Sequence, residues 1–201
     1  MTTPPNPYDY ASRSGLLPIS WQTFHSLCKG LARAVAPFQP ELVLAVGRGG
    51  FYPGTLVAHL LRLELYPIRL SRRVNDVVRY TSPRWLVRPP ALVRDRRVLV
   101  VDEIASTGET LRLVTDEVRR LGARAVRSAV LYAHTVGADV PDYIGLLSDA
   151  LILNPWDREV LQEDGEFAFH PEYADALRDQ GLAPTPDLLP GAEVAPIAKC
   201  S

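Results

Sequence analysis

Residues 98–111 read VLVVDEIASTGETL. Val98, Leu99, Val100 and Val101 make a continuous apolar run with the length and β-branching of a strand buried on both faces. The run ends in adjacent carboxylates, Asp102 and Glu103. Ser106, Thr107 and Gly108 then turn the chain into a helix whose inner stripe is Leu111, Val114, Val118 and Leu121, closed by Gly122 as a C′ glycine. Backbone N–H groups opening a helix form an anion site by geometry and dipole, and Gly108 has no Cβ to bar a close approach. Thr107 and Thr110 add hydroxyl donors. The neighbouring carboxylates would repel a phosphate, but they suit ribose hydroxyls or a hard cation such as Mg²⁺. Together these features point to a phosphorylated sugar.

Working outward, residues 42–46 form a second apolar run of strand length. Gly47, Arg48, Gly49 and Gly50 end it, and a helix opening at Pro53 and reaching Leu63 follows. Upstream, Ser20 can cap a helix whose apolar residues Trp21, Phe24, Leu27, Leu31 and Val35 recur at steps of three and four until Pro37 stops it. Residues 66–70, 125–132 and 150–153 read as further strands. Strands alternating with helices predict an α/β fold with a mainly parallel sheet, whose ligands bind at the carboxyl ends of the strands. Both glycine-containing turns lie at that edge. Residues 71–95, with Pro83, Pro89 and Pro90, read as mostly a long mobile loop.

The chain has 201 residues, 47% hydrophobic and 22% charged, which fits one domain of ordinary size and excludes wholesale disorder. No apolar run approaches the ~20 residues of a spanning helix, so no membrane association is expected. The N-terminus is polar and proline-rich, with neither a basic start nor an apolar core; no signal peptide and a cytoplasmic location are expected. The expected organisation is a flexible arm over 1–13, a single domain over 14–183 and a tail over 184–201. Cys28 and Cys200 lack the spacing of a disulfide framework or a zinc site and read as free thiols, Cys28 as a small core residue. A net charge of −1 conceals segregation: residues 69–97 hold nine arginines against Asp76 and Asp95, whereas residues 157–201 hold ten acids against three bases. A basic stretch in a neutral chain fits a local anionic ligand better than a nucleic-acid footprint.

A G-x-x-x-x-G-K-[ST] loop is absent, and Tyr52 stands where residues 47–52 would need the last glycine of G-x-G-x-x-G, so neither common nucleotide fold is supported. What residues 98–111 resemble is the diphosphoribosyl-binding signature of the type I phosphoribosyltransferases. Residues 45–61, AVGRGGFYPGTLVAHLL, resemble that family's pyrophosphate loop. With Asn154, Pro155, Trp156 and Asp157 as a third match in order, the likeness runs from about residue 19 to 157 and is greatest to the bacterial xanthine-guanine and hypoxanthine branch. The resemblance implies a parallel sheet flanked by helices, with a small hood. It also implies Mg²⁺-dependent transfer of ribose 5-phosphate from 5-phospho-α-D-ribosyl 1-diphosphate (PRPP) to a nucleobase, a purine in this branch, with release of pyrophosphate. In this family Asp102 and Glu103 would hold the ribose hydroxyls, in part through the metal. Ala105, Thr107, Gly108, Glu109 and Thr110 would wrap the 5′-phosphate. Arg48, with the amides of Gly49 and Gly50, would bind pyrophosphate next to a cis Gly47–Arg48 peptide. Residues 71–95 would be a flap closing over PRPP, with Arg72, Arg73 and Arg79 among its neutralising arginines.

On the base side this chain departs from the pattern. Ser106 stands where 6-oxopurine members have an aspartate facing N7, His134 where they have a lysine meeting the 6-oxo group, and Leu151 where an aromatic ring stacks on the base. The resemblance therefore places Ser106 at the proton-transfer position, a role that His134 could take instead, and assigns His134, Leu151, Ile152, Trp156 and Asp157 to base binding. His134 also reads as a strand-end histidine with a local partner, and Trp156 as a hood residue packed on the core. Relatives imply a homo-oligomer, dimer or tetramer. The alternative function is a PRPP-sensing regulator without turnover. Such a protein would need a DNA-binding helical domain or a large basic face; the arm is too short for the first, and the arginines cluster in the flap.

Overall fold

The computed structural model describes residue 13 and residues 15–74, 77–179 and 181. The expected arm, apart from residue 13, the expected tail with Cys200, and Asp76 of the flap lie outside the described residues. In chain order the first elements are β1 (Leu16–Pro18), α1 (Trp21–Val35), β2 (Leu42–Val46), α2 (Phe51–Leu61), β3 (Leu65–Ser71), β4 (Arg73–Val74), β5 (Val77–Val78) and β6 (Arg84–Val87). They are followed by β7 (Arg97–Ala105), α3 (Glu109–Arg120), β8 (Ala125–Ala133), β9 (Tyr143–Leu147), β10 (Leu151–Leu153), β11 (Glu159–Leu161), β12 (Phe167–Phe169) and α4 (Pro171–Asp179). No helix among the described residues is long and apolar enough to cross a membrane.

Residues 25–148 form one compact unit, framed by a six-stranded sheet in the order β6-β3-β2-β7-β8-β9. Strands β3, β2, β7, β8 and β9 are parallel, and β6 joins β3 antiparallel at one edge. The two apolar runs are buried at every position from Leu42 to Val46 and from Val98 to Val101, as strands covered on both faces must be. On one face Leu42, Leu44, Val46, Ile68, Val98 and Val100 meet Leu111, Val114 and Val118 of α3 in a single cluster. Truncating Leu111 there, 1% exposed, costs about 2–5 kcal/mol. Val43, Ala45, Leu99 and Val101 alternate onto the other face, where α2 packs on β2 and β7. A Cβ at Gly54 would lie 2.6 Å from that of Ala45, so glycine is what lets α2 approach this closely. Helix α3 ends as expected: Gly122 has φ +89° and the Ala123 N–H donates to the Val118 carbonyl at 3.3 Å.

Three sequence expectations change. Strand β7 does not stop at Val101 but carries Asp102 and Glu103 within it, because Asp102, Ile104 and Ala105 remain paired with Val130, Tyr132 and Ala133 of β8. Residues 71–95, expected as mostly loop, contain the β4-β5 ribbon and edge strand β6, whose Trp85 packs on the core cluster. Strand β9 has no counterpart in the sequence expectation. Gly145 at its centre looks like a breaker, yet a Cβ there would lie 2.8 Å from the Leu131 carbonyl oxygen of β8, so glycine serves close strand packing.

The remaining described residues, up to Phe24 and from Asp149, form a second unit. Within it β10, expected simply as a last strand, pairs in parallel with β1 in a sheet of its own, and β11 and β12 form an antiparallel hairpin. Ser20 caps α1 as expected, its hydroxyl accepting the Thr23 N–H at 3.0 Å. The rings of Trp21, Phe24 and Trp156 pack together, with centroids 5.1 to 6.0 Å apart. Further along α1, Cys28 is fully buried; burial pushes its thiol up to about 12, so it stays protonated and inert.

Candidate active site

The carboxyl ends of the parallel strands carry two turns, residues 47–50 between β2 and α2 and residues 106–108 between β7 and α3. Register sets Ala45 opposite Val101, so the chain leaving β2 runs directly past Asp102 and Glu103. The approach is close. A Cβ at Gly50 would lie 2.9 Å from Asp102 Cα and 3.0 Å from its Oδ1, and one at Gly49 would lie 2.6 Å from Glu103 Cδ. Gly50, which would meet backbone atoms, is thus required for the turn to close on the strand, whereas at Gly49 the nearest atoms are the flexible end of Glu103. The Gly47–Arg48 peptide is cis, in agreement with the expectation, and the Gly47 N–H donates to the Ile68 carbonyl at 2.8 Å. Arg48 is exposed. Gly50 caps α2, whose first amides are already engaged: those of Phe51, Tyr52 and Gly54 donate to the carbonyls of Arg48, Gly49 and Gly50 at 3.1, 3.2 and 2.9 Å, and Pro53 has none.

Asp102 is half-buried, and its Oδ1 accepts the Glu103 N–H at 2.7 Å. Burial nevertheless pushes its carboxyl up to about 7. A bound cation or a set of hydroxyl donors would hold it ionised at neutral pH.

In the second turn Gly108 takes φ +75° and leads into α3. The exposed Thr107 uses its Oγ1 to accept the Glu109 N–H at 3.4 Å. Glu109 also forms an ion pair with Arg72 at the root of the expected flap, which neutralises a carboxylate lodged in the turn expected to hold the 5′-phosphate. Arg79 donates its backbone N–H to the Arg72 carbonyl at 2.8 Å, and Arg73 opens β4. Sequence reasoning missed Arg112, one residue past the quoted signature, whose Nη1 donates to the Thr107 carbonyl at 3.3 Å. Its position in the first turn of α3 was the available signal, since an arginine there can reach back over the helix start.

His134 follows β8 and is 4% exposed. Its Nδ1 lies 2.6 Å from the Ser148 carbonyl, which can only accept, so Nδ1 carries the hydrogen. Its backbone N–H donates to the Ala105 carbonyl at 3.1 Å. A local partner is therefore present, and the residue borders the second turn. The other expected base-side residues belong to the smaller unit. Leu151 and Ile152 are buried in β10, Trp156 packs edge-on to Phe24 and tilted against Trp21, and Asp157 Oδ2 accepts from Asn154 Nδ2 at 3.0 Å and the Tyr173 hydroxyl at 3.5 Å. The larger unit thus brings together Arg48, Gly49, Gly50, Asp102 and Glu103, followed by the turn through Ser106 to Thr110.

Residues 18–163 match the model of the phosphoribosyl transferase domain. Among curated relatives, adenine phosphoribosyltransferase of Synechococcus sp. (strain RCC307) is 30% identical over 50% of this chain and 61% of its own length. Hypoxanthine-guanine phosphoribosyltransferase of Saccharomyces cerevisiae is 26% identical over 55% of this chain and 58% of its own. The chain therefore spans about three-fifths of the length of these relatives. Among solved structures, purine phosphoribosyltransferase from Pyrococcus horikoshii Ot3 superposes with a TM-score of 0.65 at 27% identity, covering 74% of this chain and 97% of that one. With a family match over most of its length, and with the glycine turn, carboxylate pair and helix-opening turn assembled on one sheet edge, the chain belongs to the phosphoribosyltransferase family.

Proposed function

We propose that this protein transfers ribose 5-phosphate from PRPP to a nitrogen of a purine base. The bond between ribose C1 and the pyrophosphate oxygen breaks, a C1–N bond forms, and the base nitrogen gives up its proton. The observation that carries this reading is the closure of Gly49 and Gly50 on Glu103 and Asp102, on the same strand that leads into the turn at residues 106–108. PRPP needs two anion sites with hydroxyl-binding carboxylates between them, and these are the residue types assembled. Arg48 and the amides of Gly49 and Gly50 would hold pyrophosphate. Asp102 and Glu103 would hold the ribose, and residues 105–110 the 5′-phosphate. Positioning and charge stabilisation supply most of the rate in such a site.

Mg²⁺ fits the donor set. Among the described residues no three His, Cys, Asp or Glu side chains converge, so Asp102 and Glu103 would be its protein ligands and substrate oxygens would complete the shell, as this ion prefers. The metal would add charge at the leaving group. Arg72, Arg73 and Arg79 would act from the flap, Ser106 at the proton-transfer position, and His134 toward the base. The names of the relatives, adenine, hypoxanthine-guanine and purine phosphoribosyltransferase, support a purine acceptor. A reduced, buried Cys28 suits a cytoplasmic setting. A homo-oligomer, checked by sedimentation, completes the reading.

The test is a panel of purines and pyrimidines incubated with PRPP and Mg²⁺ and scored by pyrophosphate release. Release with at least one purine is the expected result. PRPP binding with no release on any base would favour a sensor, and no binding at all would remove the reading.

A further inference from the structure

The turn expected to hold the 5′-phosphate consists of small residues, with Gly108 at positive φ, and nothing in that composition fixes the direction of its amides. An anion site needs those amides to converge before the ligand arrives. The structure supplies the restraint from elsewhere, from the connection between β8 and β9. Four contacts join that connection to the turn. The His134 N–H donates to the Ala105 carbonyl at 3.1 Å. Gly137 lies so close that a Cβ there would sit 2.5 Å from the Ala105 carbonyl oxygen and 2.9 Å from Ser106 C. The side chain of Val140 covers Gly108, where an added Cβ would fall 2.7 Å from the valine Cβ. Arg112, while donating to the Thr107 carbonyl, pairs through Nη2 with Asp139 Oδ2 at 3.4 Å.

The connection is itself anchored at both ends. His134 is tied to Ser148. Asp142 accepts the Ser128 N–H at 2.7 Å and its hydroxyl at 3.1 Å through Oδ2, and Arg127 at 2.6 Å through Oδ1. A segment pinned to two neighbouring strands is a rigid former, whereas the turn alone is not.

We infer that residues 134–142 set the shape of the phosphate turn, with Gly137, Val140 and the Arg112–Asp139 pair as positioning residues for PRPP. This rests on the function proposed above and adds which residues make its phosphate subsite tight. The subsite binds the 5′-phosphate equally in ground and transition states, so its distortion acts on KM for PRPP and not on kcat.

The test compares Gly137→Ala, Arg112→Met and Arg112→Lys with wild type. It measures kcat and KM for both substrates by pyrophosphate release, inhibition by inorganic phosphate, and the melting temperature without ligand. Arg112→Met should raise KM for PRPP and the inhibition constant of phosphate roughly tenfold, the worth of one charge-assisted hydrogen bond. Gly137→Ala should raise them by more than Arg112→Met does, because its Cβ displaces the turn itself. Arg112→Lys, which keeps a donor, should fall between wild type and Arg112→Met. In the two Arg112 variants kcat and KM for the purine should stay near wild type, whereas Gly137→Ala, whose Cβ also presses on Ser106, is read on KM for PRPP and phosphate inhibition alone. Arg112 is 54% exposed on its side chain, so its variants report even if Gly137→Ala fails to fold. Unchanged KM for PRPP in folded Arg112→Met and Gly137→Ala, or a fall in kcat at unchanged KM, would overturn the inference. A wild-type protein that binds no PRPP would instead remove the functional reading beneath it.

Discussion

Asp102 follows the buried apolar run Val98–Val101 within β7, and its carboxyl is pushed up to about 7 by burial, against 3.8 for a free side chain. Between about pH 4 and pH 7 the native chain therefore binds a proton here that the unfolded chain has released, and stability falls as pH rises through that window. Asp102→Asn, neutral throughout, should melt higher than wild type at about pH 8 without divalent metal, and close to wild type at about pH 4. Equal shifts at both pH values, by scanning calorimetry, would show that the charge carries no burial penalty. The same variant should lose PRPP binding, because a site that needs this charge retains it at a cost in stability. Ser106 gives the second prediction at this scale. Its hydroxyl can make a hydrogen bond to the base but cannot hold a proton near neutrality, and general acid–base help is worth about 10²- to 10⁴-fold. Ser106→Asp should raise kcat/KM for hypoxanthine or guanine while calorimetry gives an unchanged affinity for PRPP. No gain on either base, with a wild type already fast on them, would take proton transfer away from this position.

At the scale of elements, β2, β7, β8 and α3 are legible because burial on both faces forces continuous apolar runs, and helical burial forces the 111-114-118 stripe. The site on them is legible for the same reason: Asp102, Glu103 and Gly108 interrupt patterns that are otherwise strict. Elements decided by tertiary pairing are not. Strand β6 is an edge strand with Arg84, Leu86 and Val87 exposed, so only Trp85 carries a burial signal. Strand β9 carries a glycine whose purpose appears only beside Leu131. Residues 137–140 look like ordinary loop until they are seen against Ala105 and Gly108, which neighbour them only in space. The segment from Arg72 to Arg88 leads to the third prediction. Arg79 and Arg84 are exposed and offer trypsin sites, whereas Arg88 is followed by Pro89 and is not cut. If this segment closes over PRPP, ligand with Mg²⁺ should slow cleavage after these arginines several-fold while cleavage elsewhere is unaffected. Mass spectrometry of timed digests reads this, and identical rates with and without ligand would remove the flap.

Over the whole molecule the net charge of −1 is a poor guide to what approaches it, because the charges are divided between the two units. Residues 25–148, which hold the sheet and both turns, carry 18 Lys and Arg against 11 Asp and Glu, and the acidic surplus lies in the rest of the chain. Much of the basic charge at the far edge of the sheet is spent on local pairs: Arg124 and Arg97 with Glu41, Arg127 with Asp142, and Arg120 and Arg88 with Glu117. Such exposed pairs contribute little stability one by one, but they cancel field. What remains uncompensated in that unit favours a polyanion, and attraction of this kind raises association rates by about 10- to 10³-fold at low salt. PRPP is a polyanion and a purine base is neutral, so the two proposed substrates should respond differently to screening. Raising ionic strength from about 50 to about 500 mM shortens the screening length to a few ångströms. Under that change kcat/KM for PRPP should fall by about an order of magnitude. KM for the purine, measured at saturating PRPP, should move by less than about twofold, because screening has no charge on the base to act upon. Steady-state kinetics in sodium chloride at constant free Mg²⁺ separates the two. A parallel loss for both substrates would mean that salt acts on the fold, and that the charge carried by residues 25–148 is not what draws the donor in.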